Sequence, residues 1–213
     1  MRYKAILFDM DGTLLDTLTD MADAVNHILS VHGWPLRTTE EVRAFVGNGA
    51  RRLMERAVPP EVTGGDFEAV LTEYRDWYQA HNCVATAPYP GIPALLAALA
   101  EAGVKTAVVS NKPDATTQTL AARFFPGLPA FGQRDDVPPK PAPDLVFRAL
   151  ETLGVDAAGA VYVGDSEVDV ATARNAGLPL AAVSWGFRGR RALAEAGAPV
   201  IVDTAAELLE VLR

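Results

Sequence analysis

Apolar residues follow two rhythms along this chain. Short runs at 4–9, 105–110, 160–165, 180–184 and 199–203 carry hydrophobic side chains with little polar alternation. A strand wetted on one face alternates apolar and polar positions, whereas a continuous apolar run marks a strand covered on both faces, as in a parallel sheet. Between the runs lie stretches of helical period at 94–102, 143–153 and 168–176, each followed at once by Gly103, Gly154 or Gly177. Glycine there suits the left-handed residue that closes a helix. Strand, helix, closing glycine and strand, repeated, predict a doubly wound, Rossmann-like α/β core around a parallel sheet.

The segment 16–82 breaks this rhythm. Leu18, Met21, Ala22, Val25, Ile28 and Leu29 recur at helical spacing, with Gly33 beyond them. Thr38 and Glu41 have the spacing of a capping box for a second helix. Phe67, Val70, Leu71, Tyr74 and Tyr78 mark a longer one, preceded by the turn-rich Pro59-Pro60 and Gly64-Gly65. The pattern predicts a small all-helical cap, 16–82, inserted after the first strand of a core built from 1–15 and 83–213.

Open α/β sheets bind ligands at the carboxyl ends of their strands, and four chemically pointed clusters fall there. In Asp9-Met10-Asp11-Gly12-Thr13 an extended backbone puts Asp9 and Asp11 on one side, and Gly12 lets the chain turn so that amides can approach an anion. Ser110-Asn111-Lys112 offers a hydroxyl and an amide. Lys140 stands among prolines in 138–141. Gly164-Asp165-Ser166-Glu167-Val168-Asp169 supplies two more carboxylates. Converging carboxylates repel one another unless a cation lies between them. Magnesium prefers oxygen donors and a few carboxylates beside substrate phosphate, so Asp9, the carbonyl of Asp11 and Asp165 would suit Mg²⁺. No cluster of histidine or cysteine competes, which argues against zinc.

Each cluster has a plainer reading by itself. Asp9 and Asp11 could be a helix cap and a turn former, and Ser110-Asn111 could cap a helix beginning near Pro113. Lys140 could be a solvated lysine, while Asp165 and Asp169 could complement a helix dipole. Gly47 and Gly49 could be a turn between cap helices, Arg51 and Arg52 a solvated helix face, and Tyr74, Trp77 and Tyr78 cap core. Nothing pairs His27, His32 and His81 as ligands. The joint order of the four clusters, each at a strand end, favours chemistry over these readings.

Composition narrows the picture. The 213 residues fit one enzyme-sized domain or a core with a modest insertion, and 49% hydrophobic residues suffice for a core. A net charge of −8, from 19 basic and 27 acidic residues, disfavours nucleic acid and anionic membranes as partners. The longest uncharged apolar run, 92–100, contains Pro93 and is too short to cross a bilayer. A lone cysteine, Cys83, excludes an internal disulfide. With a strand-like run beginning near the first residue, no signal peptide is expected, and the chain reads as cytoplasmic, a monomer or homodimer.

Asp9-x-Asp11-Gly12-Thr13, Ser110, Lys140 and Gly164-Asp165-x-x-x-Asp169 resemble, in order, the four motifs of the haloacid dehalogenase-like phosphatase superfamily. The resemblance spans essentially the whole chain. It implies that Asp9 is a nucleophile that becomes phosphorylated and that Asp11 is the acid/base. Ser110 and Lys140 would anchor phosphate, with Gly12, Thr13 and Asn111 beside them. Asp165 would be a Mg²⁺ ligand and Asp169 a supporting acid. Val46-Gly47-Asn48-Gly49-Ala50, Pro88-Tyr89-Pro90-Gly91, Ser110-Asn111-Lys112-Pro113, Lys140-Pro141-Ala142-Pro143-Asp144 and Trp185-Gly186 are similar to the phosphoglycolate phosphatase family, which implies that Gly47, Asn48 and Gly49 form a cap loop that meets the substrate. The implied substrate is a small phosphorylated metabolite, 2-phosphoglycolate foremost. Phosphosugar mutases share the acids, and haloacid dehalogenases share the fold but need no acid at Asp11. Receiver-type signalling domains combine similar residues in a different order.

Overall fold

Strand β1 (Ala5–Phe8) is buried at every position, and it occupies the middle of the sheet. The computed structural model describes all residues, Met1–Arg213. Strands β4 (Lys105–Pro113), β5 (Ala130–Gln133), β6 (Ala160–Gly164), β7 (Leu180–Val183) and β8 (Ile201–Val202) complete a six-stranded sheet in the order β5-β4-β1-β6-β7-β8. Every pairing in it is parallel.

The missing alternation in β1 follows from its position. Ile6 and Phe8 pack into one hydrophobic cluster, beneath α5 (Ile92–Glu101), α6 (Asp114–Phe124) and α10 (Ala205–Leu212). Ala5 and Leu7 pack into a second, beneath α7 (Asp144–Leu153), α8 (Glu167–Ala176) and α9 (Gly189–Glu195). Both faces are covered, so both must be apolar. Gly154 and Gly177 close α7 and α8 in the left-handed conformation, with φ of 62° and 68°.

The chain leaves the sheet through β2 (Leu15–Asp16) and returns through β3 (Ala87–Pro88), which pair as a two-stranded antiparallel ribbon. Between them stand α1 (Leu18–Val31), α2 (Thr39–Phe45), α3 (Gly49–Ala57) and α4 (Gly64–His81). The capping box of Thr38 and Glu41 is formed at the start of α2. These helices bury a cluster of their own, in which Phe187, from the loop after β7, is the sole contribution from outside the insertion. Asp20, buried in α1, accepts the backbone N–H groups of Val84, Ala85 and Thr86 at 3.0, 2.8 and 2.9 Å and so clasps the returning segment. No helix is long and apolar enough to cross a membrane.

Some elements differ from the reading of the sequence. β4 continues past residue 110 to Pro113, so Ser110 and Asn111 lie within a strand and do not cap α6, whose N-cap is Pro113. β5, an edge strand containing Gly132, and the helices α3, α9 and α10 carry apolar signals too short or too weak to be predicted.

Candidate active site

The loops at the carboxyl edge of the sheet face the inserted helices across a cavity of about 240 Å³. Asp9, Asp11, Ser110, Lys140 and Asp165 border it from the sheet side; Gly47, Gly49, Leu53, Tyr74 and Tyr78 border it from the helices. Asp9 and Asp165, 156 positions apart in sequence, thus meet because β1, β4 and β6 are neighbours that all end at one edge.

Lys140 organises the acids. Its ammonium, almost wholly buried, donates to Asp9 Oδ1 at 2.9 Å, Asp169 Oδ1 at 2.8 Å and the Tyr162 hydroxyl at 3.1 Å. Burial alone would drive this ammonium to lower pKa, but Asp169 and Asp9 hold it well above its ordinary value. Asp9 Oδ1 also accepts the N–H of Met10 at 2.8 Å. Even so, burial pushes the Asp9 carboxyl up to about 7; Lys140 opposes the rise, and Asp169 and Asp11 add to it. Burial likewise raises Asp165 well above the carboxylate range, with the charges of Asp169 and Asp9 adding to the effect. The cluster carries more negative charge than its lysine neutralises.

The donor set fits a hard divalent cation. Carboxylate oxygens of Asp9, Asp165 and Asp169 lie within 4.8 Å of one another, but they are not equally free. Asp169 Oδ1 is held by Lys140, and its Oδ2 accepts the N–H groups of Asp165 and Ser166 at 3.2 and 3.1 Å and the Ser166 hydroxyl at 2.6 Å. It completes a capping box at the start of α8. Asp165 Oδ2 accepts the N–H of Phe187 at 2.6 Å. That leaves Asp9 Oδ2, Asp165 Oδ1 and the carbonyl of Asp11 without a protein donor. Three oxygens with no imidazole or thiolate suit magnesium. Glycine makes this closeness possible: Gly12 has φ of 82°, and a Cβ there, or at Gly186, would run into the Asp165 carboxylate.

Several residues singled out in the sequence occupy other positions than expected. The N–H of Gly12 donates to Leu15 O at 2.9 Å and that of Thr13 to Met10 O at 3.3 Å, so neither amide is free for an anion. The Thr13 side chain is fully buried, away from the cavity. Asn111 Nδ2 donates to Lys140 O at 3.0 Å and Gly47 O at 3.2 Å, and its Oδ1 accepts the N–H of Lys140 at 2.7 Å. This amide braces the lysine loop and the cap loop rather than reaching the cavity with a free donor. Asn48 turns outward and accepts from Arg56 Nη2 at 3.0 Å. Ser110 is buried and borders the cavity.

The plainer readings hold for the cap surface. Arg51 forms a two-pronged pair with Glu68 and Arg52 a pair with Glu55, all exposed. His27 and His81 flank Trp77 in a stack away from the cavity. Burial pushes the Cys83 thiol up, which makes it a poor nucleophile.

Three residues that sequence reasoning missed are central to the geometry. Lys112 Nζ lies 3.0 Å from Asp11 Oδ2 and 2.9 Å from the Tyr78 hydroxyl. Thr17 donates to Asp11 Oδ1 at 2.8 Å. Arg188 donates to Glu167 at 3.0 Å and to the carbonyls of Arg43 and Val46 beside the end of α2. A lysine embedded in an otherwise buried strand end was the available signal for Lys112, since a buried ammonium requires a partner.

A parallel sheet that gathers buried acids and a buried lysine at its carboxyl edge, beneath a helical insertion, has the build of an α/β enzyme. The family model for haloacid dehalogenase-like hydrolases matches residues 6–183, and the chain belongs to that family. It is 36% identical over 221 residues to the N-acetylmuramic acid 6-phosphate phosphatase of Pseudomonas aeruginosa, covering 100% of this chain and 96% of that protein. It is 37% identical over 210 residues to a plasmid-borne phosphoglycolate phosphatase of Cupriavidus necator, covering 94% and 89%. The solved structure of a candidate phosphoglycolate phosphatase from Lactobacillus delbrueckii subsp. bulgaricus superposes with a TM-score of 0.94 at 38% identity, covering 100% of this chain and 99% of that one.

Proposed function

We propose that this chain, a phosphoric monoester hydrolase of the haloacid dehalogenase-like family, is Mg²⁺-dependent and works through a phosphorylated Asp9. The observation that carries this reading is the Asp9 carboxylate itself. One oxygen is tethered by Lys140 and the Met10 amide, and the other is free of protein donors at the floor of the cavity.

Phosphate esters resist hydrolysis because nucleophile and phosphoryl group are both negative, so catalysis is chiefly charge neutralisation and positioning. Asp165 Oδ1, the Asp11 carbonyl and the Asp9 carboxylate, through the oxygen that does not attack, would hold the magnesium ion, which when bound neutralises charge on the transferring phosphoryl group. Lys140 keeps Asp9 in position and presents positive charge beside it, and Ser110 offers a hydroxyl to the phosphoryl oxygens. Asp9 Oδ2 bonds to phosphorus as the ester P–O bond breaks, and Asp11 gives its proton to the departing alkoxide oxygen. Asp11 then takes a proton from water, whose oxygen bonds to phosphorus as the Asp9–phosphorus link breaks. Inorganic phosphate and the alcohol are the products. The helices of 16–82 act as a cap, with Asn111 bridging the cap loop to the lysine loop. Gly49 approaches β4 so closely that a Cβ would lie 3.3 Å from the Asn111 carbonyl.

The phosphoglycolate phosphatases among the relatives make 2-phosphoglycolate the first ester to test. A second reading has its own support: the P. aeruginosa relative is matched along the whole chain. Steady-state phosphate release with Mg²⁺ from 2-phosphoglycolate, N-acetylmuramic acid 6-phosphate, p-nitrophenyl phosphate and β-glucose 1-phosphate tests the proposal. Multiple turnovers with release of phosphate are expected. Isomerisation of the sugar phosphate without release would make the chain a mutase, and a single stoichiometric phosphorylation would make it a receiver.

A further inference from the structure

The geometry points to Lys112 and Tyr78 as a pair that positions Asp11 for proton transfer, through a link that exists only where the helical insertion meets the sheet. This rests on the acid/base role of Asp11 proposed above. It concerns two residues whose placement that role does not by itself require.

Asp11 is held at both oxygens. Thr17, just before α1, donates to Oδ1 at 2.8 Å, and the Lys112 ammonium lies 3.0 Å from Oδ2. Lys112 reaches Asp11 from the end of β4, two residues beyond Ser110, and its side chain is almost completely buried. Its other partner belongs to the opposite wall. The ammonium donates to the Tyr78 hydroxyl at 2.9 Å. Tyr78 projects from the last turns of α4 and is itself buried.

The arrangement solves a problem of charge. A buried ammonium is expensive unless it is paired and its donors are satisfied. Lys140 cannot serve Asp11, because Asp9, Asp169 and Tyr162 already surround it. Lys112 is therefore the cation that pairs with Asp11. Should α4 withdraw, the ammonium would lose its hydroxyl partner, and its hold on Asp11 would loosen. Closure of the insertion and alignment of the acid are thus one event, and unproductive attack by water in an open site is disfavoured.

The test uses leaving groups. p-Nitrophenolate departs without a proton, whereas an alkoxide needs one, so a fault in proton delivery slows alkyl esters selectively. A merely structural fault slows both alike. Tyr78→Phe, which keeps the ring and removes the hydroxyl, and Lys112→Met are compared with wild type on an alkyl phosphate that the wild type hydrolyses and on p-nitrophenyl phosphate. Asp11→Asn is the reference. The ratio of alkyl to aryl kcat/KM should fall about tenfold or more in both variants, in the direction set by Asp11→Asn, and Lys112→Arg should recover part of it. If Asp11→Asn shifts the ratio and neither Tyr78→Phe nor Lys112→Met does, the pair has no positioning role. If Asp11→Asn itself leaves the ratio unchanged, the acid/base assignment falls first and the inference with it.

Discussion

At the scale of single residues the site is a contest between burial and charge. Asp9 is placed where desolvation lifts it to about 7 despite a lysine at 2.9 Å, so the metal-free protein holds a carboxylate it would rather protonate. Asp9→Asn keeps the shape and the acceptor for Lys140 but removes that conflict. Turnover should fall by roughly 10⁴-fold or more. In EDTA at pH 8 the same variant should melt at least about 2 °C above wild type, the shift expected of a fraction of a kcal/mol or more in a chain this long. Calorimetry on the two proteins checks both the sign and the size. An unchanged or lower melting temperature would mean that Asp9 is not strained in the folded state.

Much at this scale could be read in the sequence, and the reason is physical. Carboxylates at the ends of apolar strands are costly, so Asp9 and Asp165 stand out as residues with a purpose. Lys112 and Tyr78 did not stand out, because a lysine or a tyrosine has innocent uses on any surface, and only their distance across the cavity gives them meaning. Asn111 was misplaced for the opposite reason. Its amide could serve an anion or a backbone, and the nearby carbonyls of Gly47 and Lys140 take both its protons.

At the scale of elements, the fold turns on two crossings between sheet and insertion. The β2–β3 ribbon sets their direction, and Asp20 fixes the return by taking three backbone N–H groups at 2.8–3.0 Å. Asp20→Asn replaces an oxygen acceptor with a donor and leaves at least one of those amides without a partner. A loss of about 1–3 kcal/mol should follow, with faster proteolytic cleavage at residues 82–86. Urea unfolding and limited proteolysis would measure both, and a variant with wild-type stability and cleavage would show that the clasp does not hold the hinge.

The strands that could be predicted were those such as β1 and β6, where every position is buried. The edge strand β5 has four residues with alternating burial, and α9 buries only Leu193. Such elements are held by tertiary contacts that a local window does not contain. The capping box of Thr38 was legible because its chemistry is local, and the plainer reading of Asp169 as a helix-start residue finds its counterpart in the capping box it forms with Ser166.

At the scale of the whole molecule, stability and the proposed binding of Mg²⁺ depend on the same protons. The folded-state pKa of Asp9 is raised, so its contribution to stability is fully present below about 3.8, its ordinary value, and is lost as pH climbs through about 7. Asp165 is raised as well and acts with the same sign. A cation needs both groups ionised, so Mg²⁺ should bind more tightly as pH rises through 7 and should release protons where it binds. The rise in melting temperature on adding saturating Mg²⁺ should be larger at pH 8 than at pH 6. An equal or reversed difference would place the cation elsewhere. The insertion shares in this economy, because Phe187 gives its N–H to Asp165 and its ring to the core of the four helices, where burying it is worth about 1.5–3 kcal/mol.

An acyl phosphate, unlike a free carboxylate, is reduced by borohydride. Wild-type protein turning over its substrate with Mg²⁺ should therefore, on quenching with borohydride, yield homoserine at position 9, found by peptide mass spectrometry. The product should vanish when Mg²⁺ or substrate is omitted. Homoserine at another aspartate, or none while phosphate is still being released, would contradict the account.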